Sequence, residues 1–265
     1  MNNSPTGIFD SGIGGITILN SIKKILPNEN IIYFSDNFNS PYGNKSKKEI
    51  LKLSVKNTKF LIDKGCKIIV VACNTATTNS IKELRSEFKI PFVGIEPAIK
   101  PAAMQTKSGL IGVLATKGTL SSGLFGSTTN DYASEIKIIE KNAEGLVELI
   151  EKGFIDGNKI EKNLKKYLFP MVYKGIDHLV LGCTHYPLLA AKIASYLPKG
   201  VKLVSQGDIV ATSLLQYLDN HPVIAKKCSQ NGKLQFYTTD NPQTFEKQAS
   251  AFFGQKVEAN HTDLA

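Results

Sequence analysis

Two cysteines follow apolar runs that are typical of buried strands. Cys73 comes after residues 68–72, and Cys183 comes after residues 179–182. Each cysteine is followed by polar side chains, which are Asn74 and Thr75 in one segment and Thr184 and His185 in the other. A cysteine just before a helix can have a lowered thiol pKa, so both are candidate thiolates. Each segment can therefore place a proton-transfer group at the end of a strand.

Two thiols that face one ligand from opposite sides could invert a stereocentre. One thiolate would remove a proton from a carbon acid, while the other thiol would supply a proton to the opposite face. Such a scheme requires no metal, nucleotide or redox cofactor, and we therefore expect none.

Four other interpretations of these segments stay open at this stage. The cysteines could be core residues, or Cys73, Cys183 and His185 could bind zinc, although no CxxC spacing or second nearby histidine supports this. A Cys–His hydrolase could use one cysteine, but a histidine two residues from Cys183 is an unusual base. A phosphate-binding module would need only the glycine-rich turn at residues 12–15.

The two segments lie in a chain whose predicted strands alternate with predicted helices. The strands are predicted at residues 6–9, 31–34, 68–72, 91–95, 110–114, 136–139, 178–182, 201–204 and 234–238, and near residue 257. The helices between them include residues 75–88, 98–106, 143–152, 159–173 and 187–197. This alternation predicts an α/β fold with largely parallel sheets covered by helical crossovers.

The spacing of the chemical groups suggests two similar α/β halves. Asp10 precedes Cys73 by 63 residues, and Thr116 precedes Cys183 by 67. We predict one domain from residues 1–96 plus 207–265 and a second from residues 97–206. Ligands of such sheets bind beyond the carboxyl ends of the strands, so Cys73 and Cys183 should face each other across a cleft.

The basic residues are nearly all lysine. The net charge is +9, but Arg85 is the only arginine, and the lysines are spread along helical stretches. This distribution favours a solvated surface over a nucleic-acid site. With this single arginine, an anionic ligand would lack the usual guanidinium clamp and must be held by backbone amides, hydroxyl groups, side-chain amides or lysine.

The composition predicts a cytoplasmic protein. No apolar run approaches the roughly 18 residues that span a bilayer, and the first residues lack the pattern of a signal peptide. Thiols stay reduced in the cytoplasm. Cys66, Cys73, Cys183 and Cys228 are therefore interpreted as free thiols.

A glycine-rich turn, DSGIGG at residues 10–15, connects the first strand to the first helix. Position 17 is threonine, so the third glycine of a dinucleotide fingerprint is missing. The turn could hold a carboxylate on its amides, or it could need glycine only for its tight geometry.

Four motifs in this order resemble the glutamate racemases of the cofactor-independent aspartate/glutamate racemase family: DSGIGG, PYG, ACNTAT and GCTHYPLL. The resemblance covers nearly the whole chain. It implies interconversion of L- and D-glutamate, which supplies D-glutamate for peptidoglycan. It also implies two α/β domains with the active site between them, and a homodimer. Aspartate racemases share both cysteines and remain the alternative within the family.

The resemblance also implies roles for individual residues. Cys73 resembles the base that acts on D-glutamate, assisted by Asp10, and Cys183 resembles the base that acts on L-glutamate, assisted by His185 and Glu151. The residues that resemble the substrate-binding set are Asp10, Ser11, Pro41, Tyr42, Gly43, Asn74, Thr75, Thr116, Thr119, Thr184 and His185. Taken separately, Tyr42, Thr116 and Thr119 could equally be packing or capping residues. The loop before Pro41 reads SDNFNS and departs from the family pattern, which leaves its part in specificity open.

Overall fold

The computed structural model describes residues 4–132, 136–227 and 231–264. Cys228, which is predicted to be a free thiol, lies outside these ranges. Cys66, Cys73 and Cys183 are free thiols in the structure, and all three are buried.

The strands of the described residues form two sheets in which every pairing is parallel. The strands are β1 (Thr6–Asp10), β2 (Ile31–Ser35), β3 (Ile68–Val71), β4 (Phe92–Gly94), β5 (Leu110–Ala115), β6 (Lys137–Asn142), β7 (His178–Gly182), β8 (Lys202–Val204), β9 (Leu234–Thr238) and β10 (Ala259–His261). One sheet has the order β10-β9-β2-β1-β3-β4, and the other has the order β6-β5-β7-β8. The predicted fold class, with two parallel-sheet α/β domains, is confirmed.

Helices connect the strands and cover the sheets. They are α1 (Ile16–Ile25), α2 (Lys47–Asp63), α3 (Asn74–Glu87), α4 (Ile99–Gln105), α5 (Lys117–Leu120), α6 (Gly123–Asn130), α7 (Leu146–Glu151), α8 (Asn158–Val172), α9 (Ala190–Ser195), α10 (Gly207–Asn220), α11 (Pro222–Ala225) and α12 (Pro242–Phe253). Within the described ranges, no helix is both long and apolar enough to cross a bilayer.

The first sheet is discontinuous in sequence. Strands β9 and β10 extend it beyond β2, and α10 packs against α1, so residues after 206 return to the fold of residues 6–94. The second sheet takes its strands from residues 110–204. The boundaries at 96 and 206 stay predictions.

Several predicted elements differ in extent from those observed, and local hydrogen bonds or backbone conformation account for three of these differences. The helix predicted at residues 187–197 is a 3₁₀ turn, Tyr186–Leu189, followed by the short α9, because Leu188 N–H donates to the carbonyl of His185 three residues earlier. The helix predicted from residue 143 begins later, after Gly145 in a left-handed conformation. The last strand begins at Ala259, since Val257 N–H is bound to Ser250 Oγ.

The central strands bring the candidate residues to the cleft. Strands β1, β3 and β7 are buried along their whole length, as expected for parallel strands covered on both faces. Asp10 is the last residue of β1, Cys73 follows β3, and Cys183 follows β7. The carboxyl ends of both sheets therefore carry the side chains that the sequence indicates as candidates for proton transfer.

Candidate active site

The two cleft cysteines have different hydrogen-bond partners. Cys73 caps α3: its Sγ accepts from Ala76 N–H at 3.4 Å, and its thiol donates to Ser11 Oγ at 3.5 Å. Cys183 Sγ lies 3.6 Å from His185 Nδ1. The exposed fractions are 5% for Cys73 and 7% for Cys183. Each thiol is therefore enclosed with a polar group of its own domain.

Burial makes Cys73 a neutral thiol in the free protein. Burial is the main cause that raises its pKa above the usual range, and the negative charge of Asp10 adds to this effect. The hydrogen bonds that Cys73 makes with Ser11 and Ala76 lower its pKa but are outweighed by burial. A negative charge on Cys183 would raise the pKa of Cys73 further.

Asp10 connects the two domains beside Cys73. Its Oδ2 accepts from Gly15 N–H at 2.6 Å and from the Thr184 hydroxyl at 3.3 Å. Burial raises the pKa of Asp10 to about 6, although the nearby positive charge of His185 and backbone hydrogen bonds oppose this shift. Asp10 Oδ1 is buried without a hydrogen-bond partner among the described residues. Buried polar atoms are normally paired, so this oxygen is free to receive a ligand.

His185 and Glu151 form a tight pair on the other side of the cleft. His185 Nε2 lies 2.5 Å from Glu151 Oε1, which also accepts from Ile13 N–H at 3.0 Å. Burial alone would lower the pKa of His185, but its hydrogen bonds to Cys183 and Glu151 and the charge of Glu151 raise the pKa well above its usual range. The imidazole is thus positively charged at neutral pH and lies between Cys183 and Glu151.

The glycine-rich turn lets side chains of the second domain approach the backbone of the first. A Cβ on Gly12 would lie 1.7 Å from Glu151 Oε1, and a Cβ on Gly14 would lie 2.5 Å from His185 Nδ1. The amides of Ile13 and Gly15 donate to carboxylates of the protein itself. These glycines are therefore needed for close approach between the domains.

Hydroxyl and amide groups line the approach to the sulfurs. Thr75 Oγ1 lies 2.8 Å from Thr116 Oγ1 and 3.1 Å from Thr119 Oγ1, so this cluster joins α3 to α5 of the opposite domain. Both polar side-chain atoms of the buried Asn74 lack a hydrogen-bond partner among the described residues. This amide is thus available to a ligand.

The PYG segment at residues 41–43 contacts both domains. The Tyr42 hydroxyl donates to Asp36 Oδ2 at 2.5 Å and accepts from Asn57, so it is engaged within the first domain. Gly43 lies against Thr116, where a Cβ would come within 2.7 Å of the threonine side chain. The peptide bond before Pro41 is cis.

The loop around residues 35–43 makes contacts that the sequence does not predict. Asn37 Nδ2 donates to Glu151 Oε2 at 3.0 Å, and the buried Ser40 Oγ lacks a partner among the described residues. Gln248 Nε2 donates to the carbonyl of Glu151 at 2.7 Å. A cavity of about 210 Å³ lies beside these residues. The only signal for such contacts in the sequence is the abundance of polar turn formers at residues 35–43.

A larger cavity, of about 790 Å³, lies on the first domain between α2 and the segments after β9 and β10. Neither Cys73 nor Cys183 lines this cavity, so it is not the candidate active site. Across residues 4–132, 136–227 and 231–264, no group of three His, Cys, Asp or Glu side chains has a geometry that could hold a metal ion.

Comparisons with known proteins agree with this architecture. The family model for Asp/Glu/Hydantoin racemase matches residues 17–214. Glutamate racemase from Herpetosiphon aurantiacus is 40% identical over 247 residues, which cover 93% of this chain and 97% of the relative. Glutamate racemase from Ectopseudomonas mendocina is 42% identical over 87% of this chain and 89% of its own.

Solved structures are similar over the whole chain. The crystal structure of glutamate racemase isoform RacE1 from Bacillus anthracis has a TM-score of 0.88 at 31% identity and covers 100% of this chain and 99% of that chain. The structure of Francisella tularensis glutamate racemase in complex with D-glutamate has a TM-score of 0.85 at 32% identity, with the same coverage.

The fold, the cleft and these similarities define the class of protein as an isomerase that acts on amino acids. The chain belongs to the Asp/Glu/Hydantoin racemase family, and the relatives named above are its glutamate racemases.

Proposed function

We propose that the chain interconverts L- and D-glutamate by moving the Cα proton between Cys183 and Cys73, and thereby supplies D-glutamate for peptidoglycan. The observation that carries this proposal is the placement of one thiol at each wall of the cleft, after β3 and after β7. Each thiol has its own assisting groups, Asp10 beside Cys73 and the His185–Glu151 pair beside Cys183.

Proton transfer in the direction from L- to D-glutamate begins at Cys183. Its thiolate forms an S–H bond with the Cα proton, and the electron pair left on Cα is delocalised into the α-carboxylate. The Cys73 thiol then donates its proton to the opposite face and becomes the thiolate. The reverse direction exchanges these roles, and no electron leaves the substrate.

The charges around the two thiols are consistent with proton removal by Cys183 and proton donation by Cys73. Cys73 is neutral in the free protein, as a proton donor must be, because burial and Asp10 raise its pKa. The charged His185 lies 3.6 Å from Cys183 Sγ and stabilises negative charge there. For the reverse direction, the α-ammonium of the substrate supplies positive charge near Cys73 and Asp10.

Substrate binding relies on groups other than arginine, in keeping with the composition. Asp10 Oδ1 and the Asn74 amide are the buried unpartnered atoms that we assign to the α-ammonium and a carboxylate of glutamate. The further groups assigned to the substrate are the hydroxyls of Ser11, Thr75, Thr116, Thr119 and Thr184, the imidazole of His185 and the backbone of Pro41, Tyr42 and Gly43. A homodimer and a cytoplasmic location remain predictions from the sequence.

Deuterium wash-in at Cα tests the reaction. In deuterated water, the wild-type protein should exchange the Cα proton of L-glutamate, seen by NMR, and racemise it, seen by circular dichroism. Cys73→Ser and Cys183→Ser should each abolish racemisation. Cys66→Ser is the matched control, because Cys66 lies in the core of the first domain, where burial raises its pKa to about 12.

The outcomes separate the alternatives. If both cleft variants racemised glutamate near the parent rate, the two-thiol mechanism would be excluded. Exchange with L-aspartate in place of L-glutamate would identify an aspartate racemase. Glutamate binding without Cα exchange would instead indicate a binding protein that uses the same cleft.

A further inference from the structure

Helix α7 of the second domain is held by amide side chains of the first. Asn37 Nδ2 donates to Glu151 Oε2 at 3.0 Å, and Gln248 Nε2 donates to the backbone carbonyl of Glu151 at 2.7 Å. One turn earlier on the same helix, Asn44 Nδ2 donates to Glu148 Oε1 at 2.9 Å. These bonds cross the cleft, so they exist only when the two domains are in contact.

The orientation of the Asn37 amide is fixed by its own domain. Asn37 begins a 3₁₀ turn, Asn37–Asn39, shortly after β2. Its Oδ1 lies 3.4 Å from the hydroxyl of Thr238, a fully buried residue at the end of β9. The Thr238 hydroxyl accepts from Asp240 N–H and is thereby left to donate to Asn37. The NH₂ group of Asn37 therefore faces Glu151.

This contact fixes the rotation of the Glu151 carboxylate. Oε1 receives Ile13 N–H and faces His185, while Oε2 receives the Asn37 amide. A carboxylate held at both oxygens keeps one oxygen directed at the imidazole. A carboxylate held at one oxygen can rotate about its last bond into the adjoining cavity of about 210 Å³.

We propose that Asn37 is a positioning residue for Glu151, acting from the opposite domain so that the His185–Glu151 pair is fully assembled only in the closed cleft. The inference rests on the proposed role of that pair in assisting Cys183. Asn37 contacts neither His185 nor Cys183 in the hydrogen bonds of the described residues, and it acts through Glu151.

Several other charged or titratable groups surround the pair and set its electrostatic background. Those facing the pair from the packed elements are Cys183, Asp10, Tyr33, Glu148, Lys152 and Asp240. Replacing Asn37 by alanine changes none of these charges, so the variant isolates the hydrogen bond.

The test follows the protonation of His185 by ¹⁵N NMR in protein labelled at histidine. In Asn37→Ala, the freed carboxylate turns from the imidazole, so the titration of His185 should move to lower pH. Asn44→Ala is the matched control, since it removes the same kind of bond from the same helix without touching Glu151, and it should leave the titration in place. His178, His221 and His261 serve as internal references.

A titration of His185 that is unchanged, or that moves to higher pH, overturns the proposal. Movement to higher pH is expected if the amide merely weakens the charge of a carboxylate that stays in place. Thr238→Val, which removes the hydroxyl that orients the amide, should move the titration in the same direction as Asn37→Ala by a smaller amount. It provides the same test if Asn37→Ala fails to fold.

Kinetics give a second measurement. Asn37→Ala should lower kcat/KM for glutamate about tenfold, the equivalent of one charge-assisted hydrogen bond, and by the same factor in both directions because the equilibrium between enantiomers is fixed. The kinetic isotope effect of the Asn37→Ala variant, measured with Cα-deuterated L-glutamate, should rise, because proton removal by Cys183 becomes slower. Equal kinetic changes in Asn37→Ala and Asn44→Ala would overturn the proposal.

Failure of the proposed function would be recognised separately. A wild-type protein that exchanges no Cα proton would exclude the racemase mechanism, whereas the His185 titration would still decide whether Asn37 positions Glu151.

Discussion

Asp10 shows how a residue can be destabilising in the free protein and still suit the proposed reaction. Burial raises its pKa from 3.8 to about 6, so holding the charged form at neutral pH costs free energy. A tenfold change in proton affinity corresponds to about 1.4 kcal/mol, which makes this cost roughly 3 kcal/mol. A bound ammonium group would reduce the cost, because it would supply a partner for Oδ1.

Asp10→Asn should therefore raise stability and abolish racemisation. The folded carboxyl holds its proton more tightly than the unfolded one, so wild-type stability falls as pH rises from about 4 to about 6. The variant lacks this loss of stability with rising pH. It should therefore be more stable than the wild type above pH 6, by up to about 3 kcal/mol. Urea unfolding at pH 4, 6 and 8 measures the difference. Parallel pH curves for the two proteins would contradict the assignment, and Asp63→Asn, on the surface, should change stability by less than about 0.5 kcal/mol.

At the scale of elements, the turn between β1 and α1 connects the first domain to the residues that assist Cys183. Gly14 lies against His185 and Thr184, and Gly12 lies against Glu151. The partners of both glycines lie more than a hundred positions away in the sequence. The residues around the turn therefore do not reveal either contact. The turn is thus a surface that one domain presents to the other.

Gly14→Ala should inactivate the enzyme and leave the fold intact. The added Cβ would lie 2.5 Å from His185 Nδ1, so the imidazole must move from Cys183 or the domains must separate. We expect racemisation to fall by about a hundredfold, the size typical for loss of a positioned acid–base group. Gly126→Ala is the control, since a Cβ at this position in α6 would meet no atom of the described residues within 4 Å, and the variant should keep full activity. An active Gly14→Ala variant would contradict the close approach.

The sequence predicted these elements better than it predicted their contacts. Apolar runs before Cys73 and Cys183 specified buried strands, and the alternation of strands and helices specified parallel sheets. The partners of Asn37, Asn44 and Gln248 could not be predicted, because the sequence around a polar residue does not show which distant group will face it. The same limit left two explanations open for the glycine-rich turn.

At the scale of the whole molecule, the cleft is closed over its two thiols. The hydroxyl cluster of Thr75, Thr116 and Thr119 joins the domains, and both cysteines are nearly inaccessible. A reagent or substrate can therefore reach the sulfurs only when the domains separate. The rate of alkylation then reports how often they do so.

Thr116→Val should make the cleft open more often. Loss of a hydrogen bond worth about 1 kcal/mol should speed alkylation of Cys73 and Cys183 about threefold to tenfold, and D-glutamate should protect both. Mass spectrometry of the separate peptides gives each rate. Cys66 should react at the wild-type rate, because its burial in the first domain does not depend on the cleft. Thr128→Val, within α6, should change none of the rates, and an equal rise at Cys66 would instead indicate unfolding.

The discontinuous first sheet has a consequence for synthesis on the ribosome. All strands of the second sheet emerge before β9 is made, whereas β2 must wait for β9 to cover its edge and α1 must wait for α10. An open strand edge is prone to wrong pairing, so the nascent first domain passes through a vulnerable interval that the second does not. Helix α12, which carries Gln248 to Glu151, emerges later still. Translation order thus makes the contacts around the His185–Glu151 pair among the last to form.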